Sequence, residues 1–249
     1  MKNMIRASFY KLFHDKATWI GLAGTAVWSL FVGLALTWIS DGKQNLGDVY
    51  ALEKYWRDFM GYHAIMIPLL LSAVSLFTME FKDKSWKLFV ARGISKTSFY
   101  FSKVLCILLV TVMNCCVGIL TGAIFAAAVL GMPVNMTIAV LVLKYLLLQV
   151  IAHCTAAIMV LAISFVLMNS EVASSLNMIL LVFGTMALSK IEAALGFGDM
   201  LTGSWAFAQP LQISFLGTSD VLRLMLVLVG YLVVCSLAVI LFTANRDIE

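Results

Sequence analysis

Five polar or ionisable side chains interrupt long apolar stretches and are the first candidates for chemistry in this sequence: Asn114, Lys144, Gln149, His153 and Asn177. Polar groups inside a bilayer are costly, so they often mark a substrate or proton pathway. Each also has a structural alternative. Lys144 can extend to the membrane interface, whereas His153 and the asparagines can bridge neighbouring helices. The residue types leave both interpretations open.

Motifs of known intramembrane enzymes are missing from the sequence. The nearest match to a Gly-x-Ser-Gly nucleophile is Thr-Gly-Ser-Trp at residues 202–205, and no histidine belongs to a His-Glu-x-x-His pair. A phosphate-binding loop is missing too, because the one Gly-Lys pair, at residues 42–43, is followed by Gln44 and has Thr37 in place of the first glycine. The sequence therefore predicts no catalytic residues, no metal site and no ATP site.

The composition is that of a membrane protein. Hydrophobic residues make up 62% of the 249 residues and charged residues 12%, whereas a soluble domain has roughly 45–50% and about 25%. Apolar runs of about 20 residues, long enough to cross a bilayer, recur along the chain. We therefore expect an all-α, polytopic protein with a single transmembrane domain over residues 1–249.

Six spans are predicted, preceded by an interfacial helix over residues 1–16 whose apolar face comprises Ile5, Phe9, Leu12 and Phe13. In the third span, Gly118 and Gly122 have the GxxxG spacing that permits close approach of two helices. No carboxylate lies well inside a predicted span, which argues against ion coupling. The spans cover about residues 17–39, 60–79, 104–130, 145–168, 172–188 and 221–243.

The positive charges predict the orientation of these spans. Of the 17 Lys and Arg residues, four precede the first span, six lie in residues 80–103 and one follows the last span, whereas only four lie in the opposite loops. Positively charged loops remain in the cytoplasm. Both termini and residues 80–103 are therefore predicted to be cytoplasmic.

Residues 80–103 form the most informative polar stretch. Trp86, Phe89 and Val90 give a short apolar face, Gly93 is suited to end a helix in the left-handed conformation, and Ser95 is placed to cap the third span. The pattern predicts a short amphipathic helix with aromatic side chains available to a partner. The alternative is a positively charged loop whose aromatic side chains rest among lipid headgroups.

This stretch resembles the corresponding segment of type-2 ATP-binding-cassette (ABC) exporter permeases. The similarity extends to the amino-terminal helix, the six spans and the glycine-containing segment before the last span. Lys84 and Ser85 replace a Gly-Thr pair of that family, and Lys96 replaces an arginine. The matching positions are Glu80, Leu88, Gly93, Ser95, Tyr100 and Lys103.

The resemblance implies a non-catalytic permease that dimerises and binds two copies of a separate ABC ATPase. This chain would then bind no cofactor itself, and ATP and Mg would belong to the partner. Spans two and five line the central cavity in that family, which implies a substrate pathway at Ser72, Ser75, Ser174, Asn177 and Met178. The residues implied to couple to the ATPase are Glu80, Lys84, Trp86, Lys87, Leu88, Phe89 and Arg92.

Residues 189–220 are too apolar for a solvated loop. Gly196, Gly198, Gly203 and Pro210 divide them into short pieces, which predicts a re-entrant extracellular hairpin protected by protein. In the resembled family this position holds short helices that close the outer end of the pathway. An interfacial loop without a gating role is the alternative.

The substrate expected from these features is amphipathic or hydrophobic, because no buried charge is available to pair with an ion. Small bacterial permeases of this layout resemble exporters of antimicrobial peptides and peptide toxins, including lantibiotic-immunity permeases of the cytoplasmic membrane. Lipids and drugs remain open as substrates. The competing functions are a six-span carrier that needs no ATPase and an intramembrane enzyme.

Overall fold

A computed structural model describes residues 2–39, 49–61, 63–82, 93, 95–132, 136–196, 200–213 and 221–244. Every regular element in these ranges is a helix, as predicted. A π-helical turn, Leu180–Gly184, joins two of them into one continuous helical run. The helices are α1 (Lys2–His14), α2 (Lys16–Ile39), α3 (Val49–Gly61), α4 (Met66–Lys82), α5 (Lys96–Val129), α6 (Met136–Leu167), α7 (Ser170–Ile179), α8 (Thr185–Leu195), α9 (Met200–Ser204), α10 (Gln209–Gln212) and α11 (Val221–Ala244).

Within the described ranges, five helices are long and apolar enough to cross a membrane, and each overlaps a predicted span. The predicted second span, residues 60–79, corresponds to α4, which has only 17 residues. Its first residues belong instead to α3, because the chain turns at His63, where φ is 52°. The six-span topology therefore stays a prediction. The five spanning helices are Lys16–Ile39, Thr97–Val129, Met136–Leu167, Glu171–Leu195 and Val221–Phe242.

Helix α3 lies mostly between the first two predicted spans, where no helix was predicted. Its apolar residues recur at helical spacing and are almost completely buried. The Tyr55 hydroxyl donates to the Gly122 carbonyl over 3.1 Å, and the Trp56 and Tyr145 rings lie 5.5 Å apart. The sequence analysis predicted no helix here because charged residues separate the aromatic side chains of α3. The buried face comprises Leu52, Tyr55, Trp56, Phe59 and Met60.

Small and polar residues bring α5 into close contact with its neighbours. A Cβ atom on Gly118 would lie 2.6 Å from Cγ1 of Ile65, and one on Gly122 would lie 2.9 Å from Cζ of Phe59. The close approach predicted from the GxxxG spacing is thus confirmed. One turn earlier, the Thr25 hydroxyl of α2 donates to Oδ1 of Asn114, so Asn114 bridges two helices.

Helix α1 coincides with the predicted amino-terminal helix, whose position at the membrane interface stays a prediction. Helix α1 packs on α5 through the buried Leu12, although Phe13 of its predicted apolar face is 43% exposed. Gly93 has φ of +79°. Ser95 caps α5, because its hydroxyl accepts from the Ser98 amide over 3.2 Å. The predicted local geometry at Gly93 and Ser95 is confirmed.

We predict that Gly118→Val destabilises the bundle by about 1–3 kcal/mol, because the added methyl groups overlap the Ile65 side chain. The matched control is Gly230→Val on α11, where an added Cβ meets no atom within 4 Å. Thermal unfolding of the detergent-solubilised protein, followed by size-exclusion chromatography, measures both. Equal midpoints for the two variants would contradict the packing described for α5.

Candidate transport pathway

The structure brings together the two helices predicted to line the substrate pathway, because α4 packs against α7. Ser72 on α4 is buried and donates to the Pro68 carbonyl over 2.8 Å. Asn177 on α7 is also buried, and its Nδ2 donates to the Ala173 carbonyl over 2.9 Å. Ser174 is half-buried, and Met178 packs against the core. The side chain of Ser75 lies outside the part that the structure describes.

A groove of about 500 Å³ lies between α2 and α4, beside the place where the two helices contact each other. Gly21, Gly24 and Trp28 form part of its α2 wall, and Leu71 and Ser72 form part of its α4 wall. A Cβ atom on Gly21 would overlap the Ser72 hydroxyl, so the glycine permits the close approach of α2 to α4 at this point. The family resemblance implied a cavity lined by spans two and five, whereas this groove is lined by α2 and α4. Ser72 is the predicted pathway residue that lines it.

The helix that corresponds to the predicted fifth span is longer than the sequence indicated. The run of α7, the π-helical turn and α8 continues to Leu195, seven residues beyond the predicted end at residue 188. Gly196, with φ of +71°, then ends the helix in the left-handed conformation. Extra residues in π-turns are accommodated by locally wider backbone geometry. The predicted hairpin of residues 189–220 therefore begins after residue 195, and Glu192 belongs to the long helix.

Residues 200–213, here called the lid segment, consist of the short helices α9 and α10 and a connecting turn. Glu192 holds its first half in place. The Glu192 Oε1 accepts from the amides of Leu201 and Thr202, and Oε2 accepts from the Thr202 hydroxyl over 2.8 Å. A buried carboxylate needs such donors. These contacts satisfy both the carboxylate and the free amides at the start of α9.

Two further hydrogen bonds fasten the lid segment to long helices. Nε2 of Gln149 on α6 donates to the Pro210 carbonyl over 2.8 Å, and the Ala206 amide donates to the Tyr231 hydroxyl of α11 over 3.2 Å. The lid segment is also packed closely, since a Cβ on Gly184 would lie 3.1 Å from the Trp205 ring. This irregular stretch is thus protected by protein, as apolar surroundings require.

The polar residues that opened the sequence analysis have separate surroundings. Lys144 is exposed on α6, which agrees with a side chain that extends to the interface. His153 is fully buried, and its Nδ1 lies 2.8 Å from the Gln149 carbonyl of its own helix. This hydrogen bond joins two residues of α6. The sequence analysis had offered a bridge between neighbouring helices as the structural role of His153. Asn114 bridges α2 and α5, and Gln149 bridges α6 and α10.

Sequence reasoning missed Glu192, Thr202 and Tyr231, which hold the lid segment together with Gln149. Glu192 and Thr202 are ten residues apart, Tyr231 belongs to α11, and none of the three is part of a motif. The one available signal was a carboxylate in an otherwise apolar stretch, since such a group needs a nearby donor. The partner could not be identified from spacing because the contact spans a chain reversal.

The predicted ATPase-coupling helix lies outside the described residues, and so does the side chain of Glu80. At the described start of α5, Lys103 is buried, with Nζ 5.3 Å from the centre of the Phe99 ring. The docking role stays a prediction. The coupling residues outside the description are Lys84, Trp86, Lys87, Leu88, Phe89 and Arg92.

The long apolar helices and the protected irregular segment define a multi-pass membrane protein. Comparison with protein-family models matches residues 4–187 to the ABC-2 family transporter proteins. Because this match covers more than half of the chain, the protein belongs to the ABC-2 family, whose members are membrane subunits of ABC transporters that work with a separate ATPase. A search of the curated proteins gives no match.

We predict that Glu192→Leu loosens the lid segment, because the Leu201 and Thr202 amides lose their charged acceptor. Hydrogen bonds to charged groups contribute about 1.5–3 kcal/mol, so amide exchange in residues 200–204 should accelerate by roughly 30-fold. Hydrogen exchange with mass spectrometry measures this change. The exposed Glu171→Leu is the matched control. Unchanged exchange in Glu192→Leu would show that other contacts hold α9.

Proposed function

We propose that this permease exports amphipathic or hydrophobic substrates, above all antimicrobial or toxin peptides, across the bacterial cytoplasmic membrane. ATP hydrolysis in a separate ATPase subunit drives the transport. Membership of the ABC-2 family supports the transporter role. The groove between α2 and α4 is the single observation that supports the substrate class, because it is apolar and reaches a side chain predicted to line the pathway.

The chemistry of the groove favours an apolar group as its occupant. Ile67, Leu71 and Trp28 give it aliphatic and aromatic walls, and the glycines of α2 leave space between the helices. Among its lining residues, no side chain carries a charge. Burial of apolar surface stabilises binding by roughly 25 cal/mol per Å² where water is displaced. A peptide with an apolar face suits such a groove, whereas a small inorganic ion does not.

The proposed assembly contains two copies of the permease and two ATPase subunits, which bind Mg and ATP. Both termini and residues 80–103 face the cytoplasm in this proposal, in accordance with the distribution of positive charge. Closure of the ATPases would push on the segment from residue 84 to residue 92 and rock the two bundles. Such coupling requires contacts that differ between the two states, since only a differential interaction shifts an equilibrium.

The coupling proposal predicts that Phe89→Asp abolishes assembly with the cognate ABC ATPase. A charge on the apolar docking face would have to be desolvated without a partner, which costs several kcal/mol. Co-purification, the subunit ratio and ATPase turnover are the measurements. The control Phe89→Leu keeps an apolar side chain and should keep the complex. A wild-type permease that never retains an ATPase would contradict the proposal and favour an independent carrier.

The substrate proposal predicts that Gly24→Leu weakens stimulation of the ATPase by an amphipathic peptide. The leucine side chain would occupy the groove, and an added Cβ at Gly24 meets no atom within 4 Å, so the fold should tolerate it. We expect the half-maximal peptide concentration to rise roughly tenfold, as for loss of one buried apolar contact. Gly230→Leu, at an equally open position on α11, is the matched control. Equal responses would exclude the groove as a substrate site.

A further inference from the structure

A second polar region lies where the lid segment meets α6. Gln149 and His153 are one turn apart on α6 and are both fully buried. Gln209, which is 1% exposed, directly precedes Pro210, whose carbonyl accepts from Nε2 of Gln149 over 2.8 Å. We call these three residues the α6–α10 junction. Buried polar side chains are normally hydrogen-bonded.

The junction holds four polar atoms without a hydrogen-bond partner in the part of the chain that the structure describes: Oε1 of Gln149, Nε2 of His153, and Oε1 and Nε2 of Gln209. Their side chains belong to two elements that contact each other. Such a group of unpaired atoms is suited to a ligand that supplies the complementary donors and acceptors.

The hydrogen bonds already present determine what the α6 side can offer. The Gln149 carbonyl can only accept, so Nδ1 of His153, which lies 2.8 Å away, carries the proton. In the neutral ring, Nε2 of His153 is then an acceptor. The amide nitrogen of Gln149 donates to the Pro210 carbonyl, and the Gln149 side chain also lies close to the Tyr145 hydroxyl one turn earlier on α6. Oε1 of Gln149, which accepts no described hydrogen bond, is a second acceptor. The α6 side therefore presents two acceptors, and Gln209 adds one acceptor and two donors.

We propose that the α6–α10 junction binds main-chain amides of a peptide substrate, with N–H groups donating to Gln149 and His153. This inference rests on the proposed peptide export. A peptide main chain carries donors and acceptors without net charge, and the junction likewise has both and, among its three side chains, no carboxylate or ammonium group.

The inference is tested with the purified permease–ATPase complex in liposomes. The probes are a synthetic amphipathic peptide of Leu and Lys and its depsipeptide, in which alternate backbone amides are replaced by esters. The ester keeps the side chains and the charge but removes N–H donors. For the wild type, we expect the half-maximal concentration for ATPase stimulation to be about three- to tenfold higher for the depsipeptide.

The variants His153→Phe and Gln209→Met together cover three of the four unpaired atoms and keep similar side-chain volumes. Both should fold, because replacing an unpaired buried polar group by an apolar one removes a desolvation penalty. We expect the difference between the two probes to fall below about twofold in His153→Phe and to shrink in Gln209→Met. The control Ser29→Ala removes another buried hydroxyl without a described partner, on α2, and should keep the wild-type difference.

Three results would overturn the inference. The first is equal potency of both probes on the wild type, which refutes amide recognition even if a variant does not fold. The second is an undiminished difference in both junction variants. The third is stimulation by neither probe in a complex that retains its ATPase, which would also refute peptide export. Equal potency with strong stimulation, by contrast, leaves the proposed function intact and refutes the junction alone.

Discussion

The need to satisfy every backbone polar group within an apolar environment governs this structure. Long helices meet that need internally, which is why five described helices are long enough to span a membrane. The lid segment cannot do so, since its helices α9 and α10 are each only one turn long. Glu192, Gln149 and Tyr231 therefore supply the missing partners, and the shape of the lid depends on them.

Close packing is the second condition, because water does not drive helices together inside a bilayer. Gly118 and Gly122 let α5 approach the turn before α4 and the aromatic face of α3. Tyr55 then reaches a backbone carbonyl of α5. The glycine spacing thus has a packing role in one chain, which accounts for it without a contact between two permeases.

The groove and the α6–α10 junction differ in chemistry. The groove between α2 and α4 is almost wholly apolar, whereas the junction holds unpaired amide and imidazole atoms. Because the junction includes Gln209 of the lid segment, a substrate bound there would contact the lid directly. Substrate binding and lid position would then be energetically linked, since any ligand that prefers one lid position shifts the equilibrium towards it.

Composition and local geometry suffice to predict the apolar helices, the left-handed Gly93, the Ser95 cap and the close approach at Gly118 and Gly122. The spacing of the apolar residues also indicates α3, whose buried residues recur at helical intervals, although intervening charges obscure the pattern. Three features become visible only once the chain is folded: Glu192 holds α9, Gln149 holds α10, and the described groove lies between α2 and α4. Those contacts join residues from distant segments, and local periodicity carries no information about which distant partner a buried polar group will meet.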